Sequence, residues 1–317
     1  MEQKIIYDMI IIGGGAAGMT AGIYALRAGL KTLLIEGEAH GGQMVNTYEI
    51  KNYTGFEDIS GVDLSNRMHE QVNKLGIDNL YDMVTDLKLD NEIKEVVTAY
   101  SGTFYTRTII LSMGARARKL GLEQENELSG AGVSYCAICD GAFFKDKTVA
   151  VVGGGNTAIE DLIYLSKVGK KVYLIHRNEH FRADKILIDS VEHLLKQENS
   201  KIELILNSTV TKLYGEPMLN KIEVTNIVTN EKKVLDLDGL FVAIGRIPNT
   251  NLVKDKVNLD NYGYIIADEH MKTNVEGVYA AGDIRVKEVR QIITAASDGA
   301  IAATHASNYI GTKKWKE

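Results

Sequence analysis

One pattern occurs twice in this sequence and restricts the possible folds more than any other feature. The copies span Tyr7–Gly37 and Lys147–Asn178, and each has an apolar run, a glycine-rich turn, apolar residues at helical spacing and a second apolar run. Continuous apolar runs are typical of parallel strands buried on both faces, so each copy predicts a strand–helix–strand unit. A chain of 317 residues is long for one core. We therefore expect an α/β fold with two Rossmann-like dinucleotide-binding domains of the three-layer ββα type, the second inserted into the first.

The glycine-rich turns predict phosphate binding. The first turn, Gly13–Gly18, has the pattern G-x-G-x-x-G, and the second turn, Gly153–Ala158, has G-x-G-x-x-A. The first glycine allows the tight turn, the second lets the backbone approach a pyrophosphate, and the third small residue lets the helix pack against the strand. A single such motif is a weak signal, but two copies in strand–turn–helix–strand context are a strong one. The residues expected to contact nucleotide here are Gly13, Gly15, Ala16 and Ala17 in the first turn and Gly153, Gly155, Asn156 and Thr157 in the second.

The ends of the second strands indicate which nucleotide each turn binds. Glu36 lies 23 positions after Gly13, and His176 lies 23 positions after Gly153, with Arg177 and Arg182 close behind. An acid at this place accepts hydrogen bonds from a ribose 2′-hydroxyl, whereas basic residues accept a 2′-phosphate. The first site is therefore predicted to hold FAD or NAD and the second to prefer NADP. The alternative for the basic residues is a solvated charged face.

The order of segments predicts the domain boundaries. We expect a discontinuous FAD-binding domain at residues 1–117 and 247–317, and an NAD(P)H-binding domain at residues 118–246. Alternating polar and apolar residues predict antiparallel strands at about Leu80–Thr108 and at Ile202–Leu237. Asp283 follows an apolar strand, where a carboxylate can bind the hydroxyls of a ribityl chain. A helix N-cap is the alternative for Asp283.

Charge and hydropathy exclude several classes of partner. The net charge of −6 argues against nucleic acid, which requires a basic surface. No apolar stretch approaches the roughly 18 residues of a membrane span, and no secretory signal is recognisable at the start. We expect a cytoplasmic protein that binds neither nucleic acid nor membrane.

The chain contains two cysteines, Cys136 and Cys139, and Asp140 follows them directly. The pair could be half of a metal site, a structural disulfide, two inert buried thiols or a dithiol that opens and closes during chemistry. A zinc site with His176 and His180 would leave 36 residues between its halves, whereas finger-type sites have about 12–15. A permanent disulfide is disfavoured in a reducing cytosol. The redox interpretation is favoured, and no metal is expected.

The sequence resembles the low-molecular-weight thioredoxin reductases, class II pyridine nucleotide-disulfide oxidoreductases, over nearly its whole length. The resemblance rests on seven motifs: GGGAAG at 13–18, HGGQ at 40–43, CAICDG at 136–141, GGGNTA at 153–158, HRNEHFRA at 176–183, AAGD at 280–283 and RQIITAASDGAIAA at 290–303. It implies FAD at the first turn, NADPH at the second, a homodimer, and thioredoxin or a similar small protein as substrate.

The same resemblance implies roles for individual residues. Cys139 would face the flavin, Cys136 would attack the substrate disulfide, and Asp140 would be the acid–base group, with a helix cap as its alternative. Further nucleotide contacts are expected from Gly42, Gln43, Asn52, Gly114, Asp283, Arg290, Gln291 and Ile292 for FAD, and from Ile244 and Gly245 for NADPH.

One position departs from the family pattern. Asn178 stands where the family usually has a second arginine. A charge-assisted contact is worth about 1.5–3 kcal/mol, so its loss weakens the preference for NADPH. The alternative functions are a related flavoprotein that draws electrons from NADH or ferredoxin, a dithiol oxidase, and a redox sensor without turnover.

Overall fold

A computed structural model describes residues 5–47 and 49–315 of the chain. The chain divides into two compact units. The first unit runs up to Arg116 and resumes at Ile247, and the second unit is Ala117–Arg246. No helix among the described residues combines the length and apolar character needed to cross a membrane.

The described strands, in chain order, are β1 (Ile6–Ile12), β2 (Thr32–Glu36), β3 (Asp78–Tyr81), β4 (Val84–Lys88), β5 (Lys94–Thr98), β6 (Thr103–Leu111), β7 (Ala115–Ala117), β8 (Val133–Ser134), β9 (Thr148–Val152), β10 (Lys171–Ile175), β11 (Ile202–Ile205), β12 (Ser208–Gly215), β13 (Leu219–Asn226), β14 (Lys232–Asp236), β15 (Gly239–Val242), β16 (Arg246–Pro248) and β17 (Val278–Ala280).

The described α-helices are α1 (Ala16–Arg27), α2 (Gly61–Lys74), α3 (Ala137–Asp140), α4 (Asn156–Val168), α5 (Lys185–Leu195) and α6 (Ile292–Thr312). Short 3₁₀ helices lie at Gly42–Asn46, Gly141–Phe144 and Asn251–Val253.

The first unit is built on a seven-stranded sheet in the order β3-β2-β1-β6-β5-β4, with β17 also pairing with β6. Strands β1, β2, β3, β6 and β17 pair in parallel, and β4 and β5 add an antiparallel extension. The strand β6 is long enough to pair with β5 near its start and with β17 near its end. The carboxyl ends of β1, β2, β6 and β17 therefore lie along one edge, where ligands bind in such sheets.

The central strand β1 is buried on both faces, as its apolar sequence predicts. Met9 and Ile11 pack into the core that contains α1 and α6, while Ile10 and Ile12 pack into the core on the opposite face. Small residues bring α1 and α6 close together, because a Cβ at Gly299 of α6 would collide with the backbone of Ala17. This close packing fixes the start of α1, which carries the first glycine-rich turn.

The second unit repeats the parallel arrangement on a smaller scale. Its five-stranded sheet has the order β11-β10-β9-β15-β8, and its pairs are parallel. A separate antiparallel sheet has the order β12-β13-β14. Both units therefore have the Rossmann-like α/β architecture expected from the sequence, and β7 and β16 form a further two-stranded sheet.

The predicted antiparallel segments are correct in part. The strands β4, β5 and β6 pair antiparallel, but Leu80 lies in β3, which is parallel to β2. The strands β12, β13 and β14 are antiparallel, but β11 is parallel to β10, so the prediction for Ile202–Ile205 was wrong. A strand of four residues carries too little periodicity to distinguish the two pairings.

Candidate active site

The first glycine-rich turn leaves the amino end of α1 open. Gly13 has φ +105°, and a Cβ there would lie 2.5 Å from the carbonyl oxygen of Ser112, so the position requires glycine. Gly15 is the N-cap of α1, has no side-chain cap, and would have no atom within 4 Å of an added Cβ. The free N–H groups of the helix start therefore face open space, which suits a pyrophosphate.

Glu36 lies beside this turn, at the end of β2. Its Oε2 accepts a hydrogen bond of 2.6 Å from the backbone N–H of Gly14, and its Oε1 accepts one of 3.0 Å from Glu38. The carboxylate is thereby held at the edge of the turn. An acid in this place is suited to a ribose with free hydroxyls.

The segment that follows β2 lies against the same turn. The N–H of Gly41 donates to the carbonyl oxygen of Gly14 at 2.8 Å, and a Cβ at Gly42 would be 3.5 Å from the Cα of Gly15. Gly42 and Gln43 begin a 3₁₀ helix and are exposed. The structure therefore brings these predicted residues together with the first turn.

The remaining predicted FAD contacts lie in the same unit. The Asn52 side chain donates to the Gln291 side chain at 3.1 Å, and Gln291 caps α6, whose first residue is Ile292. The Arg290 guanidinium lies 4.4 Å from the centre of the Tyr264 ring. Two more of the predicted FAD contacts follow strand ends. Gly114, which has φ +65°, follows β6, and Asp283 follows β17.

The helix-cap alternative for Asp283 is wrong, because α6 begins at Ile292 and its N-cap is Gln291. The buried carboxylate of Asp298, in α6, shapes the loop around Asp283 instead. It accepts hydrogen bonds from the N–H of Gly282 at 3.0 Å and from the Arg285 and Lys287 side chains. These contacts lower the pKa of Asp298 against the opposing effect of burial. No sequence motif predicted this cluster, because its contacts depend on how α6 packs against the loop.

The second glycine-rich turn has the same backbone form. A Cβ at Gly153 would collide with the carbonyl oxygen of Ala243, and Gly155 caps α4 with open space around it. Asn156 exchanges two hydrogen bonds of 2.8 Å with Asp184, which fixes the turn to the start of α5. Thr157 is exposed.

His176 follows β10 and is only 4% exposed. Its ring fills the space beside Gly154, where an added Cβ would collide with it. Burial lowers the pKa of His176, and the nearby Arg182 and Arg177 lower it further. A hydrogen bond to the His180 carbonyl oxygen partly offsets this by raising the pKa. Of the three predicted basic residues, only Arg177 and Arg182 are therefore exposed.

The predicted contacts after β15 lie in the same unit. Ile244 is partly buried, and Gly245 is exposed with φ +107°. The carbonyl oxygen of Gly245 accepts a hydrogen bond of 2.9 Å from the N–H of Arg118.

Cys136 and Cys139 are joined by a disulfide, with 5.3 Å between their Cα atoms. Cys136 is the N-cap of α3, and the N–H of Cys139 lies 3.3 Å from the Cys136 sulfur. Both residues are partly buried, so the pair is not two inert thiols inside a core. Because the sulfurs bond to each other, they are not the thiolate ligands of a zinc site in this state.

The carboxylate of Asp140 is held by Ser134, a residue that no sequence motif predicted. The Ser134 hydroxyl donates to Asp140 Oδ2 at 2.6 Å, and the Cys136 N–H donates to the same hydroxyl at 3.1 Å. Burial raises the pKa of Asp140, and the Ser134 hydrogen bond opposes that rise. Asp140 is the last residue of α3 and makes no side-chain cap, so the helix-cap alternative is wrong.

A buried carboxylate anchors the chain just before the cysteines. Glu125 is 2% exposed and accepts hydrogen bonds from the N–H groups of Leu120 and Gly121 and from the Tyr135 hydroxyl, the last at 2.9 Å. Burial and this hydrogen bond raise the pKa of Tyr135. The segment leading to Cys136 is therefore held from two sides, by Glu125 and by Asp140.

Residues 7–299 match the model of the pyridine nucleotide-disulphide oxidoreductase family. The chain belongs to this family, and it is an oxidoreductase. Membership implies a flavin and a pyridine nucleotide, and the two open helix starts fit the pyrophosphates of such groups. It also favours a reversible over a structural role for the disulfide.

Within the family, the chain is similar to thioredoxin reductases. It is 43% identical to the thioredoxin reductase of Peptoclostridium acidaminophilum, over 96% of this chain and 97% of the relative. It is 42% identical to that of Bacillus subtilis, over 98% and 96%. The crystal structure of thioredoxin reductase from Streptococcus pyogenes matches with a TM-score of 0.90 at 39% identity, over 98% of this chain and 100% of that one.

Proposed function

We propose that the protein is a thioredoxin reductase that passes electrons from NADPH, through FAD and the Cys136–Cys139 pair, to oxidised thioredoxin or a similar small protein disulfide. The observation that carries the proposal is the disulfide at the start of α3, beside Asp140, in a chain with two dinucleotide-type turns. The similarity of the chain to the thioredoxin reductases of Peptoclostridium acidaminophilum and Bacillus subtilis supports the proposal.

We assign FAD to the first unit. Glu36 beside the turn suits a ribose without a 2′-phosphate, and open space lies above Gly15. The side chains and backbone that would hold it are Gly13, Gly15, Ala16, Ala17, Glu36, Gly42, Gln43, Asn52, Gly114, Asp283, Arg290, Gln291 and Ile292.

We assign NADPH to the second unit. Arg177 and Arg182 are exposed, and the N–H of Arg182 donates to the carbonyl oxygen of Gly154 at 2.7 Å, so the cations lie beside the turn. The residues that would hold it are Gly153, Gly155, Asn156, Thr157, His176, Arg177, Arg182, Ile244 and Gly245.

When bound, FAD supplies the two-electron exchange between a nicotinamide and a disulfide. The chain's own residues carry out the exchange with the substrate. The thiolate of Cys136 attacks a substrate sulfur, forming a mixed disulfide, and the other substrate sulfur leaves and takes up a proton. Cys139 then attacks the Cys136 sulfur, which restores the Cys136–Cys139 bond and releases the second substrate thiol. Two electrons and two protons pass to the substrate in total.

The geometry supports these roles. The N–H of Cys139 is placed to donate to a thiolate on Cys136, and a helix start favours negative charge. Asp140 has a raised pKa, so a larger fraction of it is protonated than for an ordinary aspartate, as a proton donor requires. A cytoplasmic homodimer is part of the proposal, because it follows from the family resemblance.

The proposal is tested by stopped-flow absorbance of the flavin. NADPH should bleach the oxidised holoenzyme, and oxidised thioredoxin should restore the colour. Parallel runs with NADH and reduced ferredoxin identify the electron donor. A protein that is reoxidised only by oxygen would be a dithiol oxidase, and a protein that is bleached but not reoxidised by any disulfide would be a sensor.

Cys136→Ser and Cys139→Ser test the role of the sulfur pair directly. Each should abolish thioredoxin reduction, because one remaining sulfur cannot close the cycle, while flavin content and bleaching by NADPH persist. The retained half-reaction is the internal control for folding. Thioredoxin reduction by either variant at the unmodified rate would contradict the proposal.

A further inference from the structure

The hydroxyl of Ser134 connects the predicted acid to the backbone of the reactive cysteine. Ser134 is 5% exposed and ends the short strand β8. Its Oγ is 2.6 Å from Asp140 Oδ2, and it accepts the N–H of Cys136 at 3.1 Å. The Cys136 carbonyl oxygen is 3.4 Å away, so the one hydroxyl hydrogen is directed to the much closer carboxylate.

We propose that Ser134 is a positioning residue for thiol–disulfide exchange: its hydroxyl fixes the Asp140 carboxyl relative to Cys136, so that the acid can deliver a proton to a departing sulfur. The inference rests on the proposed role of Asp140 as proton donor. Without this contact, packing alone would restrict the two side-chain torsions of Asp140. General acid catalysis depends on hydrogen-bond reach, so the fixed orientation is what makes the proton available.

The proton that Ser134 positions is needed in one particular step. The Cys136 thiolate forms a bond to one substrate sulfur while the substrate disulfide breaks, and the departing sulfur leaves with the electron pair of that bond. An aliphatic thiolate is a poor leaving group, and a proton from the Asp140 carboxyl converts it to a thiol. Asp140 becomes a carboxylate, which the Ser134 hydrogen bond stabilises.

The surroundings of Asp140 leave Ser134 as its main polar partner. The titratable groups near it are Cys136 and Cys139 on α3 and Tyr164 of α4, which packs against Gly141; the 3₁₀ helix Gly141–Phe144 contributes none. Burial raises the pKa of Asp140 and the Ser134 hydrogen bond lowers it. After reduction of the disulfide, a thiolate nearby would raise the pKa further.

The test uses holoenzyme whose disulfide has been reduced with dithiothreitol and then freed of it without oxygen. Exchange is followed by quench and thiol quantification with two small disulfides. Bis(2-hydroxyethyl) disulfide releases a basic thiolate that needs a proton, whereas 5,5′-dithiobis(2-nitrobenzoate) releases an acidic aromatic thiolate that does not. Comparing the exchange rates with the two disulfides therefore separates an effect on proton delivery from an effect on attack by Cys136.

Ser134→Ala should slow exchange with the aliphatic disulfide about tenfold, a part of the full contribution of a general acid. Exchange with the aromatic disulfide should not change. Ser134→Thr, which keeps the hydroxyl on a strand residue, should restore the aliphatic rate. Equal slowing with both disulfides, or no slowing with either, would overturn the proposal.

The pH dependence provides a second readout. The acid acts while protonated, so the ratio of the aliphatic to the aromatic rate, in which the pH dependence of the Cys136 thiolate cancels, falls as pH rises through the pKa of Asp140. Ser134→Ala removes a bond that favours the carboxylate, so this fall should move to higher pH. A fall that stays at the same pH would be evidence against a contact between Ser134 and the titrating group.

Two further variants separate positioning from folding. Tyr135→Phe is the matched control, because it removes a neighbouring hydroxyl that bonds Glu125 instead of Asp140; its ratio of aliphatic to aromatic rates should not change. In the Asp140→Asn background, Ser134→Ala should have no further effect, since a residue that acts through Asp140 has nothing left to position. If the two substitutions had additive effects on the aliphatic rate, Ser134 would not act through Asp140.

The assay needs neither NADPH nor thioredoxin. A holoenzyme that failed to turn over with those two would disprove the proposed function, and the Ser134 comparison would still give a result. Conversely, unchanged exchange in Ser134→Ala would overturn the inference and leave thioredoxin reduction standing.

Discussion

The two glycine-rich turns share a backbone and differ in the side chains placed on it. Each residue of the second turn lies 140 positions after its counterpart, so Gly13 corresponds to Gly153 and the helix starts Ala16 and Asn156 correspond as well. Both turns require a glycine at the first position and leave open space at the N-cap. Three of the differences are Gly18 against Ala158, Ala21 against Asp161, and Glu36 against His176.

This comparison separates what the fold requires from what the ligand requires. Phosphate binding needs only backbone N–H groups, so the turns agree wherever the backbone must bend or be approached. The strand ends differ in charge because the predicted ligands differ at the ribose. The differences at Gly18 against Ala158 and at Ala21 against Asp161, which lie within the helices, reflect how each helix packs.

The largest expected effect of the comparison, loss of the bound flavin, comes from placing the second turn's alanine in the first turn. A Cβ at Gly18 would collide with the carbonyl oxygen of Gly13 and lie 2.9 Å from Ser112 Oγ. Gly18→Ala should therefore destabilise the first unit by about 3 kcal/mol, as overpacking does, and remove the flavin. Flavin content of the purified protein and denaturant unfolding followed by circular dichroism measure this.

The reverse change is the matched control. Ala158→Gly removes a fully buried methyl from a helix and should cost only about 1 kcal/mol while flavin content stays unchanged. If Gly18→Ala retained its flavin and were no less stable than Ala158→Gly, the two turns would pack their helices alike and the comparison would fail.

The second expected effect concerns the buried acid of the second unit. Asp161 is 7% exposed in α4, where the first unit has Ala21. Burial raises the pKa of Asp161 to about 7. The negative charge of Glu160 contributes to this rise, and the positive charge of Arg246 opposes it. The ordinary aspartate value is about 3.9, so between these pH values the unfolded chain loses a proton that the folded chain keeps. Stability from this group is present at low pH and is lost as pH rises to about 7.

Asp161→Asn, or Asp161→Ala as in the first unit, should therefore raise the free energy of unfolding at pH 8 but hardly at pH 4. The gain is at most about 4 kcal/mol, from 1.36 kcal/mol per pKa unit. Denaturant unfolding at the two pH values measures it. Glu160→Gln, at the exposed neighbour, removes only the smaller of the two causes, so it should raise stability at pH 8 by much less than Asp161→Asn does and should change it little at pH 4. A gain that is equal at pH 4 and pH 8 would show that charge burial is not its cause.

Sequence reasoning predicted what depends on spacing and missed what depends on packing. The turns, the positions of Glu36 and His176, and the inserted order of segments follow from periodicity and glycine placement. The partners of Ser134, Glu125 and Asp298 do not, because each contact joins residues whose distance depends on how strands and helices pack. The burial of His176 against Gly154 also depends on packing. In the sequence, the same residue is part of a basic cluster.

The smallest expected effect tests whether charge at the strand end selects the nucleotide. Arg177→Ala and Arg182→Ala should each raise the KM for NADPH tenfold or more, because a charge-assisted contact is worth about 1.5–3 kcal/mol. The KM for NADH should not change, since NADH has no 2′-phosphate. Asn178→Arg should have the opposite effect and strengthen the preference for NADPH over NADH. Flavin bleaching at varied nucleotide concentration measures all three.

Lys170→Ala is the matched control for these variants. Lys170 is an exposed cation that precedes β10, whereas Arg177 follows the carboxyl end of the same strand. Lys170→Ala removes one positive charge from the unit, as Arg177→Ala does, but should leave the KM of both nucleotides unchanged. If Lys170→Ala weakened NADPH as much as Arg177→Ala did, the effect would come from overall charge, and the contrast between Glu36 and the basic residues would no longer explain which nucleotide each turn binds.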